Sequence, residues 1–395
     1  MPEQGTREFD LVLFGATGFT GRLVAEYLAR NAPGGCRGAL AGRNRARLEA
    51  VREHLATLDD RAHPELGRLP LLIADATDRG SLAEIARRAR VVISTVGPYQ
   101  QYGEPLVAAC AEAGTDYVDI TGEPEFVDEM YLKHHRRAVE TGARLVHACG
   151  FDSIPHDLGA LFTVRQLPHG VPITLRGMVG ASGTISGATF HSAINALSRV
   201  PQSKAAATRR RATEPRPEGR RVRSLATRPH FDKEVGRWLV PLPTIDPLIV
   251  KRSAAALDEY GPDFAYAHYA AVKRLPTVVG GLGAVGAIAA GVRLPPVRRF
   301  LLGRVPVGEG PSAARRAKSR FTVRFVGEGG GRRVCTEVTG GDPGYDETAK
   351  MLSEAAFSLA FDDNPATAGQ VTTAQAMGDN LIDRLRKAGI GFEVT

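Results

Sequence analysis

A doubly wound parallel α/β sheet followed by a second, α+β domain is the fold class that this 395-residue sequence predicts. Three observations carry the prediction. Strand-like and helix-like runs alternate from residue 9 to about 150, the pattern of a parallel sheet with crossover helices. The first strand-like run, "FDLVLFG", passes into a turn with three glycines and then into an amphipathic helix. Beyond residue 150 the alternation breaks down into longer sheet-like and helix-like stretches. The expected domains are residues 1–150 and 151–395, two being the natural number for this length.

Six runs supply the strands of the first domain: "DLVLFG", "GALAG", "LPLLIAD", "RVVISTV", "DYVDIT" and "ARLVHAC". Ligands of such a sheet lie at the carboxyl ends of the strands, near the switch in strand order. Gly15, Gly18 and Gly21 fall at the first of those ends. Their spacing is GxxGxxG rather than GxGxxG, but the physical demands are shared: a tight turn, close approach of backbone to a pyrophosphate, and close helix packing. Three glycines alone could merely cap a helix. These follow a strand and open a helix whose Leu23, Val24, Tyr27 and Leu28 share a face, so they predict a Rossmann-type dinucleotide site of Gly15, Thr17, Gly18, Phe19, Thr20 and Gly21.

The second strand ends in "AGRNRARLEAV", where an NAD-binding protein usually places an acidic residue against the ribose hydroxyls. Here Arg43 stands, with Arg45 and Arg47 close by. A guanidinium forms charge-assisted bonds to a ribose 2'-phosphate, so NADPH is favoured over NADH, the alternative being that Arg43 simply faces solvent. Asp75 ends the third strand and could accept from the adenine amino group or cap the following turn. In "STVGPYQQYG", Thr95, Gly97 and Pro98 end the fourth strand where the nicotinamide half must pass, with Tyr99 and Tyr102 in reach.

Composition narrows the class. With 43% apolar and 24% charged residues the chain has the makings of a globular protein rather than a disordered one. Cys36, Cys110, Cys149 and Cys335 are far apart and form no metal-ligand spacing, which predicts a reduced intracellular protein with no metal site. The polar start "MPEQGTREFD" leaves no room for a signal peptide, so a cytoplasmic location is expected. The net charge of +8 is concentrated, with ten Lys or Arg between residues 199 and 228 against Glu214 and Glu218. That segment reads as an exposed, solvated loop, with docking to an acidic partner or anionic headgroups as the other reading. No DNA or RNA motif accompanies it, and nucleic acid is not an expected partner.

In the second domain "ITLRGMVGAS" and "RFTVRFVGEGGGRRVCTEVTGG" read as sheet, and "ATFHSAINALSRV" and "DETAKMLSEAAFSLAF" as helices. "GFDSIPHDLGALFTV" predicts a helix packed back on the first domain, capped by Ser153 with Pro155 in its first turn, which brings Asp152, Ser153 and His156 near the cleft. "PDFAYAHYAAVKRLP" reads as a helix carrying Tyr266, His268 and Tyr269, with Lys273 one turn beyond Tyr269. Tyrosine and histidine suit proton donation and carbonyl polarisation, while an aromatic face packed in the core is the other reading. The catalytic candidates are Tyr266, His268 and Tyr99, with His191 equally ambiguous. Residues 275–292, "LPTVVGGLGAVGAIAAGV", carry no charge and approach the length of a membrane span. Five glycines make that a poor free-standing span, leaving an interfacial helix or a buried glycine-rich one.

"GATGFTG", "AGRNRARL", "STVGPYQQYGEPLVAACAEAGTDYVDITGE" and "HACGFDSIPHDLGALF" resemble the saccharopine dehydrogenase family, in particular its trans-acting enoyl reductase branch. "WLVPLPTIDPLIVKRSAAALDEYGPDFAYAHYAAVK", "GDPGYDETAKMLSEAAFSLA" and "AMGDNLIDRLRKAGIGFEV" extend the resemblance over nearly the whole chain. It implies NADPH-dependent reduction of an enoyl group on a lipid or polyketide acyl chain, the acyl group riding on an acidic carrier protein. Contact with a membrane surface and a homo-oligomer stand open as further associations. Two other functions stay open: a saccharopine-type amino-acid dehydrogenase, for which "FAYAHYA" carries few cations, and an NADP-binding protein without turnover.

Overall fold

The computed structural model describes residues 7–58, 66–182, 187–292, 294–304 and 310–395. Two sheets organise them. The first is entirely parallel and contains β1 (Phe9–Phe14), β2 (Gly38–Gly42), β3 (Leu71–Ile73), β4 (Ala89–Ser94), β5 (Asp116–Asp119) and β6 (Arg144–Val146). These are the six expected strands. The second sheet is mixed, with β7 (Ile173–Ser182), β8 (Arg221–Ser224), β9 (His230–Asp232), β10 (Arg237–Pro241), β11 (Asp263–Val272), β12 (Arg320–Gly329) and β13 (Arg332–Gly340). The chain then returns: β14 (Gly369–Val371) pairs in parallel with β6 as the seventh strand of the first sheet, and β15 (Gly391–Val394) pairs with β13.

The first sheet runs β14-β6-β5-β4-β1-β2-β3. β1 has β2 on one side and β4 on the other, so the switch in strand order lies between β1 and β4. Both faces are covered, which is why β4 and β5 are buried almost end to end. The helix Asp346–Phe361 is buried over nearly its whole length and packs on β1, β4 and β5, so the last part of the chain completes the first domain. The helix Ile154–Val164 is likewise buried over nearly its whole length, His156 and Asp157 included, and lies on β7, β12 and β13. It joins the two sheets.

Three expectations are corrected, and one of two open readings is removed. Residues 263–272 form β11, a strand and not a helix: "FAYAHYA" alternates with period two, and its pairing with β7, β8 and β10 gives every part of it a ladder. Tyr266 and His268 therefore share one face, Tyr269 takes the other, and Lys273 lies past the strand end. The basic segment is not a loop. It contains the helix Val200–Thr213, because an acidic row on the helix Pro124–Thr141 receives its cations: Glu125 accepts from Arg199, Glu129 pairs with Arg209, and Asp128 lies 3.6 Å from Arg210. Arg210 is buried, its guanidinium 3.9 Å above the Tyr131 ring. Ser153 does occupy the cap position of the helix Ile154–Val164, but its hydroxyl makes no capping bond and turns to Asp246, 3.4 Å away. Finally, the helix Leu275–Gly291 is not buried: its described side chains are mostly exposed, Val279 at 64%. Among the described residues no helix is long and apolar enough to cross a membrane.

Candidate active site at the carboxyl edge of the parallel sheet

The glycine turn divides its work residue by residue. Gly15 sits at φ +95°, a backbone state that side chains resist, and a Cβ there would lie 2.7 Å from Thr95 Oγ1 and Val96 Cγ2. A Cβ on Gly21 would fall 2.1 Å from the Gly15 carbonyl oxygen, so only glycine lets the helix Phe19–Asn31 approach the turn. Gly18 differs: its Cβ would meet only the Gly15 carbonyl at 3.5 Å. Two glycines close the turn and the third leaves room at the helix N-terminus, where backbone N–H groups favour a phosphate. Thr17 and Thr20 flank that opening, partly exposed. The Phe19 ring packs edge-on against Tyr345 at 4.9 Å and under Arg316, anchoring the start of the helix.

Arg43 follows β2, exposed at its carboxyl end, near enough to Asp75 to help lower its carboxyl. The larger influence on Asp75 is Thr77, whose hydroxyl and N–H both donate to Asp75 Oδ1 at 2.6 and 2.8 Å. The turn-capping reading of Asp75 thus has its bonds in place. Thr95 ties β4 to β1, its hydroxyl donating toward the Phe14 and Gly15 carbonyls. Gly97 and Pro98 lead into the short helix Tyr99–Tyr102. Tyr99 is buried, donates to the Ser94 carbonyl at 2.9 Å and accepts from Ile120 N–H at 3.3 Å. Both functions of its hydroxyl are engaged, and burial with the nearby Asp119 charge holds its pKa well above the usual range. It braces the ends of β4 and β5.

Past β5 the carboxyl edge is crowded with buried acids. Asp119 accepts from Thr121 N–H and Ala148 N–H and pairs with His147 Nδ1 at 2.7 Å. Ala148 is held at φ +59°, a left-handed state costly for a non-glycine residue, at the place where the chain leaves β6 for the second domain. The far nitrogen of His147, Nε2, has no hydrogen-bond partner among the described residues, and the ring lines a cavity of about 250 Å³ shared with Arg210, Arg252 and Gln370. Glu123 accepts from Tyr99 N–H, Gln100 N–H and the Ser192 hydroxyl. The helix Gly187–Ser198, which carries Ser192, is thereby fastened over this edge.

Asp152 faces Gly122, whose Cβ would stand 3.4 Å from Asp152 Oδ1. Burial pushes its carboxyl up to about 7, Asp246 and Asp119 adding to the rise and His156 opposing it. Behind it lie His156 Nδ1, 3.1 Å from Asp246 Oδ1, and His268 Nε2, 3.5 Å from Asp246 Oδ2. Tyr266 completes the row, its hydroxyl 3.1 Å from His268 Nδ1. Burial lowers His268 to about 4 against the pull of Asp246, so it is neutral near pH 7. Burial would raise Asp246, but His156, its hydrogen bond and His268 outweigh that and hold it below the carboxylate range. The ligand atoms of His156, Asp246 and His268 lie within 4.8 Å of one another, a spacing that could hold a cation and that sets the Asp246 carboxylate between two imidazoles. Asp246, Asp119 and Glu123 were not legible as site residues, since no motif marks them. Tyr269, on the other face of β11, lies against His230.

The fold and this edge define an NADP-dependent oxidoreductase. Residues 11–146 match the family model of the saccharopine dehydrogenase NADP binding domain. The chain is 39% identical to a Mycobacterium tuberculosis protein named as a candidate trans-acting enoyl reductase, over 98% of each chain. It is 35% identical to the trans-acting enoyl reductase of Mycobacterium ulcerans, again over 98% of each. Among solved structures, apo saccharopine dehydrogenase (L-Glu forming) from Saccharomyces cerevisiae superposes with TM-score 0.56 at 14% identity, covering 98% of this chain and 99% of that one, a likeness of fold. The chain belongs to the trans-acting enoyl reductase branch of the saccharopine dehydrogenase family. Its cofactor is NADPH, for which the closed turn at Gly15 and Gly21, the open Gly18 and the exposed Arg43 are a fitting cradle.

Proposed function

We propose that the protein reduces an α,β-unsaturated acyl group of a lipid or polyketide intermediate, with Asp152 as the source of the proton. NADPH, when bound, supplies the hydride for the β carbon; the α carbon then takes a proton, leaving a saturated acyl chain and NADP⁺. The observation that supports this reading most is the row Asp152, His156, Asp246, His268 and Tyr266, which joins the carboxyl edge to the interior. Asp152 at about 7 keeps a proton near neutrality and can lose it. His156 favours the charge left behind and Asp246 opposes it, while neutral His268 and Tyr266 stand behind Asp246. Tyr266 and His268, both buried, are positioning residues in this scheme. Thr95 and Tyr99 fix the floor on which the nicotinamide half would rest.

An acyl thioester suits this edge better than an amino dicarboxylate. Asp119, Glu123 and Asp246 make it acidic, and a second carboxylate would need convergent Arg or Lys side chains. The deciding experiment offers purified protein NADPH with enoyl thioesters of increasing chain length, free and on an acyl carrier protein, beside saccharopine with NADP⁺. NADPH oxidation with a saturated thioester as product is the expected outcome, faster on the carrier. Turnover of saccharopine alone would replace the reading, and no turnover with either would leave an NADP-binding protein.

A further inference from the structure

The helix Leu275–Gly291 inverts the usual rule of burial. Its seventeen residues contain no charged or amide side chain, yet it stands on the surface, with Leu275 45% and Val279 64% exposed. Four of its five glycines do not serve close packing within the described chain: a Cβ on Gly280, Gly281, Gly283 or Gly286 would meet nothing within 4 Å. A glycine-rich helix fully in water is poorly stable, because glycine favours the unfolded chain and exposes backbone to solvent. An apolar medium removes that competition. Next to it the helix Pro295–Arg304 carries Phe300, 59% exposed, and Leu294 just before it is 58% exposed.

Charge selects the medium. From residue 264 to 308 there is no Asp or Glu, while Lys273, Arg274, Arg293, Arg298, Arg299 and Arg304 all fall in that span. Lys273, Arg274 and Arg299 are exposed at the ends of the apolar surface. We propose that the helix Leu275–Gly291 lies flat in the interface of an anionic membrane, its roughly 26 Å length in the headgroup plane and Lys273, Arg274 and Arg299 on lipid phosphates. This surface is apolar with cations at its rim and no acid beside them, which fits a fluid anionic layer. The platform adjoins the reaction edge. Both surface helices pack on the helix Gly187–Ser198, Arg298 donates to Asn195 there at 3.0 Å, and Ser192 of the same helix donates to Glu123. Membrane contact would therefore set the cleft at the height of lipid acyl chains.

The test is co-sedimentation of the full chain with vesicles of phosphatidylcholine and phosphatidylglycerol at about 7:3, and with phosphatidylcholine alone. The parent protein binds the mixed vesicles at least about tenfold more tightly, and 0.5 M salt, a roughly 4 Å screening length, weakens it. Val279→Asp, at a position too exposed to endanger the fold, loses at least about tenfold in binding, as does the pair Lys273→Glu with Arg274→Glu. All variants keep the NADPH-induced rise in melting temperature and turn over a short soluble enoyl thioester, so loss of vesicle binding and loss of reductase function are read separately. The proposal is overturned if the parent ignores anionic vesicles, or if Val279→Asp binds them equally well. It is also overturned if Val279→Asp converts a parent dimer to monomer with no vesicle binding in either, which makes the surface a subunit interface.

Discussion

The cofactor turn and the polar row behind Asp152 face the same carboxyl edge, yet they are made in opposite ways. The turn lies within residues 15–21 and relies on backbone: two glycines admit close contact and one leaves space. The row spans Asp152 to His268, draws on β11 and the starts of two helices, and depends on ionisable side chains withdrawn from water. A site built from backbone tolerates changes of charge and no change of bulk. A site built from buried charges tolerates neither the loss of a partner nor a change in protonation.

The largest effect expected from breaking this contrast is at Gly21. Gly21→Val sets a side chain 2.1 Å from the Gly15 carbonyl and should cost roughly 4 kcal/mol, unfolding a marginal domain in a thermal melt. Gly18→Val, pointing into open space, should melt with the parent and lose only the NADPH-induced stabilisation. If the two variants behave alike, the division of labour within the turn is wrong.

Next comes Asp152→Asn, which keeps the shape and removes the acid. Turnover should fall about a hundredfold, near 2.7 kcal/mol, with NADPH affinity unchanged in a fluorescence titration. The parent's kcat should decline above pH about 7 as Asp152 loses its proton, a limb the variant lacks. The linkage has a definite sign. A carboxyl whose folded pKa is raised contributes stability that is fully present below its unfolded value and is lost as pH rises through about 7. Parent and Asp152→Asn should therefore differ more in melting temperature at pH 8 than at pH 5, the variant gaining relative to the parent on the alkaline side.

Arg43→Ala should erase an NADPH over NADH preference of about tenfold, near 1.4 kcal/mol, leaving NADH affinity where it was. Equal affinities in the parent would remove Arg43 from the cradle. Tyr266→Phe should have the smallest effect, a few-fold loss of kcat and about 1 kcal/mol of stability, since only the hydroxyl contact to His268 Nδ1 is lost. A hundredfold loss there would move the proton source inward from Asp152.

Two stretches with unusual composition show where local reading stopped. Residues 199–213 are so basic that they read as an exposed loop, and residues 275–292 so apolar that a buried and an interfacial helix stood equally open; the structure reverses the first reading and removes burial from the second. Arg210 is buried because Glu214 and Gln370 bond it and Tyr131 lies beneath it, partners with no periodic mark in the sequence. The apolar helix stays outside a core already occupied by other helices, Asp346–Phe361 on the parallel sheet and Ile154–Val164 on the inner face of the second. The strand β11 is a third case, where two aromatic spacings fit a helix or a strand and only pairing with β7, β8 and β10 selects the strand.

By itself the sequence determined the parallel sheet, the position of the dinucleotide turn and the arginine at the end of β2, because each rests on neighbours a few residues apart and on rules of backbone geometry. Tertiary structure alone decided that β14 closes the sheet, that Tyr266 and His268 point inward on one strand face, and that Asp246 stands between two histidines far from it in the chain. Those features depend on which charges meet away from water, and the free energy of such a meeting is set by distance in space and by burial, neither of which is written in the spacing of residues along the chain.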